Sequence, residues 1–141
     1  MHDSIMDTIN QFYHGELKSG IKNPDEERQH FCHNKNINKK NHVIWVDMPK
    51  TKRNRETDHE PSFSNPAEVD VIESVLKDLN DGFILNSDGR EIKDVGVITF
   101  YGQQAGLLNR RLLDSGFKKT LPGLKLRIGT VDRFQGMERP V

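Results

Sequence analysis

Three short apolar runs alternate with two amphipathic stretches between residues 43 and 131, and this order constrains the fold more than any other feature. Val43-Ile44-Trp45-Val46-Asp47-Met48, closed by Pro49, reads as a buried strand. Next, Val69, Ile72, Val75, Leu76 and Leu79 share one helical face. Asn65 can cap that helix, Pro66 suits its first turn, Glu68 can complete a capping box, and Gly82 offers a stop. Val95-Gly96-Val97-Ile98-Thr99-Phe100 reads as a second buried strand. A second helix over 103–115 turns Leu107, Leu108, Leu112 and Leu113 inward, with Gly116 at its end. The third strand is expected at 124–131. Strand–helix–strand–helix–strand order predicts right-handed crossovers and a parallel sheet, hence an α/β fold.

The remaining segments are polar or short. Residues 3–13 place Ile5, Met6, Ile9, Phe12 and Tyr13 at helical spacing, and Gly15 offers a stop. Residues 18–42 and 50–64 read as charged loops, and 86–91 as a turn. A chain of 141 residues suits one domain. Its apolar fraction, 33%, lies below the usual ~45–50% and predicts a modest core with long polar loops. Lys plus Arg equals Asp plus Glu at 21 each, so any nucleic-acid contact must be local rather than driven by a global basic field. The single cysteine, Cys32, excludes an internal disulfide and suits a reducing compartment. No run approaches the ~20 apolar residues of a membrane span, so the expectation is a soluble, cytoplasmic protein without membrane contact.

The chemistry concentrates where strands end. Ligands of parallel α/β sheets bind at the carboxyl edge. Thr99 and Thr130 end the second and third strands, so both are expected at that edge. Their hydroxyls could hold backbone phosphates. Threonine is also a good strand-end residue, and either one taken singly is explained that way; their joint position favours function. Gln104 and Gln135 follow the same strands, and each amide can reach a ligand or tie loop to loop. Glu138 can hydrogen-bond a ribose or remain a surface carboxylate, the commoner fate of glutamate. Asp132 suits a capping role after the third strand.

Other candidates carry less. Asp25-Glu26-Glu27-Arg28 mimics a magnesium-binding box but lacks the apolar strand that should precede it, and reads as a solvated charge run. His30, Cys32, His33 and His42 match no standard zinc spacing, so no metal site is expected. Lys39-Lys40 and Lys50, Lys52, Arg53 and Arg55 read as solvated loops with room for a local phosphate contact. No G-x-x-x-x-G-K-S/T phosphate loop is present, so this stretch alone holds no catalytic residue for nucleotide hydrolysis and should not turn over.

Residues 130–138, T-V-D-R-F-Q-G-M-E, resemble motif V of superfamily 1 helicases, S/T-V-D-x-F/Y-Q-G-x-E. Three further landmarks follow the order of superfamily 1B helicases, typified by the nonsense-mediated-decay RNA helicase. Met1, His2, Ile5, Asn10, Phe12, Tyr13, Gly15 and Leu17 resemble the segment after Q-Y-R. Asn65-Pro66-Ala67-Glu68 resembles N-x-x-E-A. Val97-Ile98-Thr99-Phe100-Tyr101-Gly102-Gln103-Gln104 is similar to I-I-T-P-Y-x-x-Q. Phe100 stands where the family usually has proline, Met137 where arginine is frequent, and Pro140 where aspartate is frequent.

The resemblance implies a three-layer, parallel-sheet, RecA-like domain of the P-loop NTPase type, cut at its C-terminal end. Residues 1–141 would form a partial second RecA-like domain: a helical lead-in at 1–17, a polar loop at 18–42 and an α/β core at 43–141. It implies an ATP-dependent DNA or RNA helicase or translocase, with ATP and Mg2+ held mainly by a first RecA-like domain of the same parent chain. Thr99, Tyr101, Gln104, Thr130 and Asp132 would face single-stranded nucleic acid, and Gln135, Gly136 and Glu138 the nucleotide. The alternative is a non-catalytic nucleic-acid-binding or interaction module derived from such a domain. A domain ending at motif V is expected to expose apolar faces.

Overall fold

The computed structural model describes residues 2–27, 30, 32, 42–86 and 92–135. Helix α1 (Asp3–Asn10), a 3-10 turn (Gln11–Tyr13) and a short helix α2 (Pro24–Glu27) come first. A minimal antiparallel pair, β1 (Thr57–Asp58) with β2 (Phe63–Ser64), precedes the long helix α3 (Pro66–Asn86). Then follow β3 (Lys93–Thr99), α4 (Gly102–Leu108), a π-helical turn (Asn109–Asp114), a 3-10 turn (Phe117–Thr120), β4 (Leu124–Thr130) and α5 (Val131–Phe134).

Strands β3 and β4 pair in parallel, in register from Lys93↔Leu124 to Thr99↔Thr130. Side chains alternate across a strand, so Val95 and Val97 share a face with Leu124, Leu126 and Ile128. That face meets Leu108 and Leu112 from the helical crossover, and Val69 and Leu76 from α3 join the same cluster. Val69, Leu108, Leu112 and Leu121 are its most deeply buried side chains. Arg111 clips the crossover to α3 from outside, bonding Asp70 at 2.9 Å and Glu73 at 3.0 Å. Buried Asn80 of α3 accepts from the Gly123 N–H at 3.0 Å, fixing the turn that starts β4.

The opposite face carries Asp94, Gly96 and Ile98 beside Lys125, Arg127 and Gly129. Here the ring of Phe134 folds back over both glycines. A Cβ at Gly96 would lie 2.8 Å from that ring, and one at Gly129 3.2 Å from it. Arg127 caps the ring at 5.6 Å, a cation–π distance. Ile98 remains 53% exposed, so among the described residues this face is covered chiefly where Phe134 lies.

Among the described residues, helix α1 buries no side chain, and the N-terminal segment is shaped by polar bonds. Asn10 closes the turn after α1: its Oδ1 accepts from the Leu17 N–H at 3.0 Å and its Nδ2 donates to the Leu17 carbonyl at 3.3 Å. His14 and Gly15 inside that turn are left-handed, with φ of 53° and 79°. Gly15 tolerates this because it has no Cβ.

Several expectations change. Residues 43–48 form no strand; they run outside regular structure, with Trp45 89% exposed. Among the described residues the parallel sheet therefore has two strands rather than three, with helices packed on one face, and a third layer is not seen. Helix α3 passes through Gly82 to Asn86, since one glycine in a well-packed helix costs only about 1 kcal/mol. The loop at 50–64 contains the β1–β2 pair, whose two-residue strands carry too little alternation to read from sequence. Of the turn at 86–91, residues 87–91 lie outside the described residues.

Candidate nucleic-acid interface

The Cα atoms of Thr99 and Thr130 are direct partners across the parallel pair, so both threonines stand side by side at its carboxyl edge. Both are half-buried. Thr99 Oγ1 accepts from the Tyr101 N–H at 3.4 Å, which turns the chain into α4. Thr130 occupies the N-cap position of α5, and its side chain makes no capping bond there. Asp132, read as a cap, instead sits exposed in the first turn of α5. The capping position falls two residues earlier because the strand runs directly into the helix.

Gln104 is placed differently from the threonines. It is buried, and its amide grips the start of α3. Its Oε1 accepts from the Asn65 N–H at 2.8 Å, and its Nε2 donates to the Asn65 carbonyl at 3.3 Å and to Glu68 Oε2 at 3.2 Å. Asn65 caps α3 through Oδ1, which accepts from the Ala67 and Glu68 N–H groups. The expected capping box is thus rearranged. Glu68 Oε1 accepts from the Asn65 side chain at 3.2 Å, and Gln104 takes the backbone N–H that Glu68 was expected to hold. Both donor hydrogens of the Gln104 amide are engaged, and the amide ties two helix starts together.

A pocket of about 160 Å³ opens beside this network. Its walls include Phe63, Phe100 and Tyr101, with Thr99, Glu56 and Glu68 among the polar groups. The Phe63 and Tyr101 rings meet edge to face at 5.1 Å. Phe100 is 84% exposed. Sequence reasoning did not single out Phe63 or Glu56. Phe100 carried a signal, an aromatic at the position where the resembling family has proline. Gln135 is exposed just after α5. Gly136 and Glu138 lie outside the described residues.

A second polar cluster lies at the N-terminus. Buried His2 bonds Asp25 through Nε2 at 2.8 Å and Ser4 through Nδ1, also at 2.8 Å. Asp25 is therefore engaged rather than merely solvated. The His42 ring stacks on His2 at 3.4 Å and 19°, and His30 meets His42 edge-on at 4.9 Å. His2, Asp25 and His42 bring candidate ligand atoms within 4.8 Å of one another. Both ring nitrogens of His2 are already hydrogen-bonded, to Ser4 and to Asp25. Cys32 is buried beside the Leu79 carbonyl, and burial pushes its thiol pKa up against the opposing charge of Lys93. His33 lies outside the described residues. No described helix is long and apolar enough to cross a membrane.

A parallel β–α–β unit with helices packed on one face defines an α/β domain. The family model described as "AAA domain" matches residues 1–141. The chain belongs to this family, and within it to the superfamily 1 helicases of the nonsense-mediated-decay type. "Putative helicase mov-10-B.1" of Danio rerio is 31% identical over 99% of this chain and 14% of its own length. "Putative helicase MOV-10" of Gallus gallus is 28% identical over 99% of this chain and 15% of its own. The chain thus spans about one seventh of the curated relatives it matches. No solved structure matches it significantly.

Proposed function

We propose that this chain is the strand-gripping part of an ATP-dependent DNA or RNA helicase or translocase, and supplies one side of the ATP cleft. The observation that carries the reading is the side-by-side placement of Thr99 and Thr130 at the carboxyl edge, in a chain of a helicase family. Two adjacent hydroxyls can bond successive phosphates without reading sequence. ATP and Mg2+ would be held mainly by a first RecA-like domain, because this chain has no phosphate loop. Gln135, Gly136 and Glu138 would face the nucleotide from this side, and Tyr101 and Asp132 would flank the strand. The ATP cycle would open and close the two domains and shift the grip. The stretch alone would be inactive, and the whole protein would work in the cytoplasm.

The test is ATP hydrolysis by the full-length protein, with and without single-stranded DNA or RNA. Turnover stimulated by one polymer supports the motor and identifies its substrate. A folded protein that binds ATP but shows no turnover supports a non-catalytic nucleic-acid-binding module instead. The second reading draws on Phe100, which replaces the proline of the resembling motif and changes the chemistry of the grip itself.

A further inference from the structure

We propose that Phe100, with Tyr101 and Phe63, forms a stacking pocket for one unpaired base of a single-stranded nucleic acid, with Glu56 and Glu68 as acceptors for that base's amino group. This deepens the strand-gripping reading above and rests on it. Phe100 follows Thr99 directly, so a strand held at the threonine would pass the ring. With 84% of its surface exposed, the Phe100 side chain adds almost nothing to the core. Its neighbour Tyr101 is held edge to face against Phe63 at 5.1 Å, which makes a firm second wall. The floor is anchored by the bonds among Gln104, Asn65 and Glu68, all 2.8–3.3 Å.

The chemistry of the lining selects the ligand. The pocket, about 160 Å³, suits one planar group. Among the described residues its lining holds two carboxylates and no lysine or arginine, so a phosphate is repelled and a hydrogen-bond donor is favoured. Aromatic walls stack on any base. Carboxylates accept from exocyclic amines, as from cytosine N4. Cytosine, adenine and guanine carry such an amine; thymine and uracil do not. The pocket therefore prefers amino-bearing bases, while Thr130, outside its lining, acts on phosphate.

The test uses the full-length protein, with fluorescence anisotropy of labelled oligo(dC) and oligo(dT) of equal length across a salt series. F100A is expected to weaken oligo(dC) binding by about tenfold. The slope of log affinity against log salt should stay unchanged, because no phosphate contact is lost. F100Y should restore binding, and E56Q should shrink the preference for oligo(dC) over oligo(dT). The exposure of Phe100 means F100A should melt with the wild type, and a matched thermal scan checks this. The pocket assignment is overturned if wild type binds and F100A lies within about twofold of it, or if F100A lowers the salt slope. A pocket that instead takes a peptide side chain gives that same unchanged binding. If folded wild type binds neither polymer, the strand-gripping reading fails first and takes the pocket with it.

Discussion

Val43-Ile44-Trp45-Val46 and Val95-Gly96-Val97-Ile98 are both runs of strand-forming residues, yet they meet opposite fates. The second lies in β3 and buries Val97 to 9% exposure, whereas the first leaves Trp45 at 89%. Strand propensity expresses how well a side chain fits a half-buried pleated surface, so it acts only where such a surface exists. Residues 95–98 have one. Strand β4 pairs along their whole length, and Leu108 and Leu112 close over one face. Residues 43–46 have neither a paired strand nor a covering helix among the described residues. An apolar run is therefore a request for a partner, and the remainder of the chain decides whether it is met.

The comparison breaks first if the core around β3 proves dispensable. Leu112 is fully buried, so Leu112→Ala should cost about 2–5 kcal/mol in urea unfolding, from lost transfer energy plus a cavity. A loss under about 1 kcal/mol would mean that the sheet does not depend on this packing. The face opposite the core offers a finer probe. Gly96→Val should cost about 1–3 kcal/mol, because its Cβ would press on the Phe134 ring at 2.8 Å. Phe134→Ala in the same chain should remove most of that penalty. Additive effects of the two substitutions would place Phe134 away from the glycines.

The smallest expected effect tests the exposed run itself. Trp45→Ala should change stability by less than about 0.5 kcal/mol. Trp45 is also the single tryptophan, so its fluorescence reports this site alone. Water-exposed emission, quenched freely by acrylamide, fits the observed 89% exposure. Blue-shifted, protected emission would show the run packed, and the contrast between the two runs would vanish.

The elements with strong local signals were legible in the sequence. The face of α3 repeats every three to four residues, and Asn65 begins it with a capping side chain, so position and orientation both follow. The Leu107–Leu113 pattern marked the crossover, and Leu108 and Leu112 indeed anchor the core. That Thr99 and Thr130 share an edge was also foreseeable from two parallel strands that end in threonine, whereas their direct pairing required the register. For Gln104 the sequence offered both a ligand contact and a loop-to-loop tie, and could not choose its partners. An amide offers two donors and an acceptor to whatever lies near, and Asn65 lies 39 positions earlier in the chain. The Phe134 fold-back was equally hidden, since two glycines in separate strands reveal a shared notch only when the strands are in register.

The sequence by itself determined where helices and strands could form, which faces they would bury, and the family to which the motifs belong. These rest on local spacing and local chemistry, which survive without knowledge of the fold. Tertiary structure alone decided which apolar run joined the sheet, which amide was consumed by a helix cap, and which aromatic rings bordered a pocket. Each of those outcomes depends on groups far apart in the chain competing for the same partners, and only packing settles that competition.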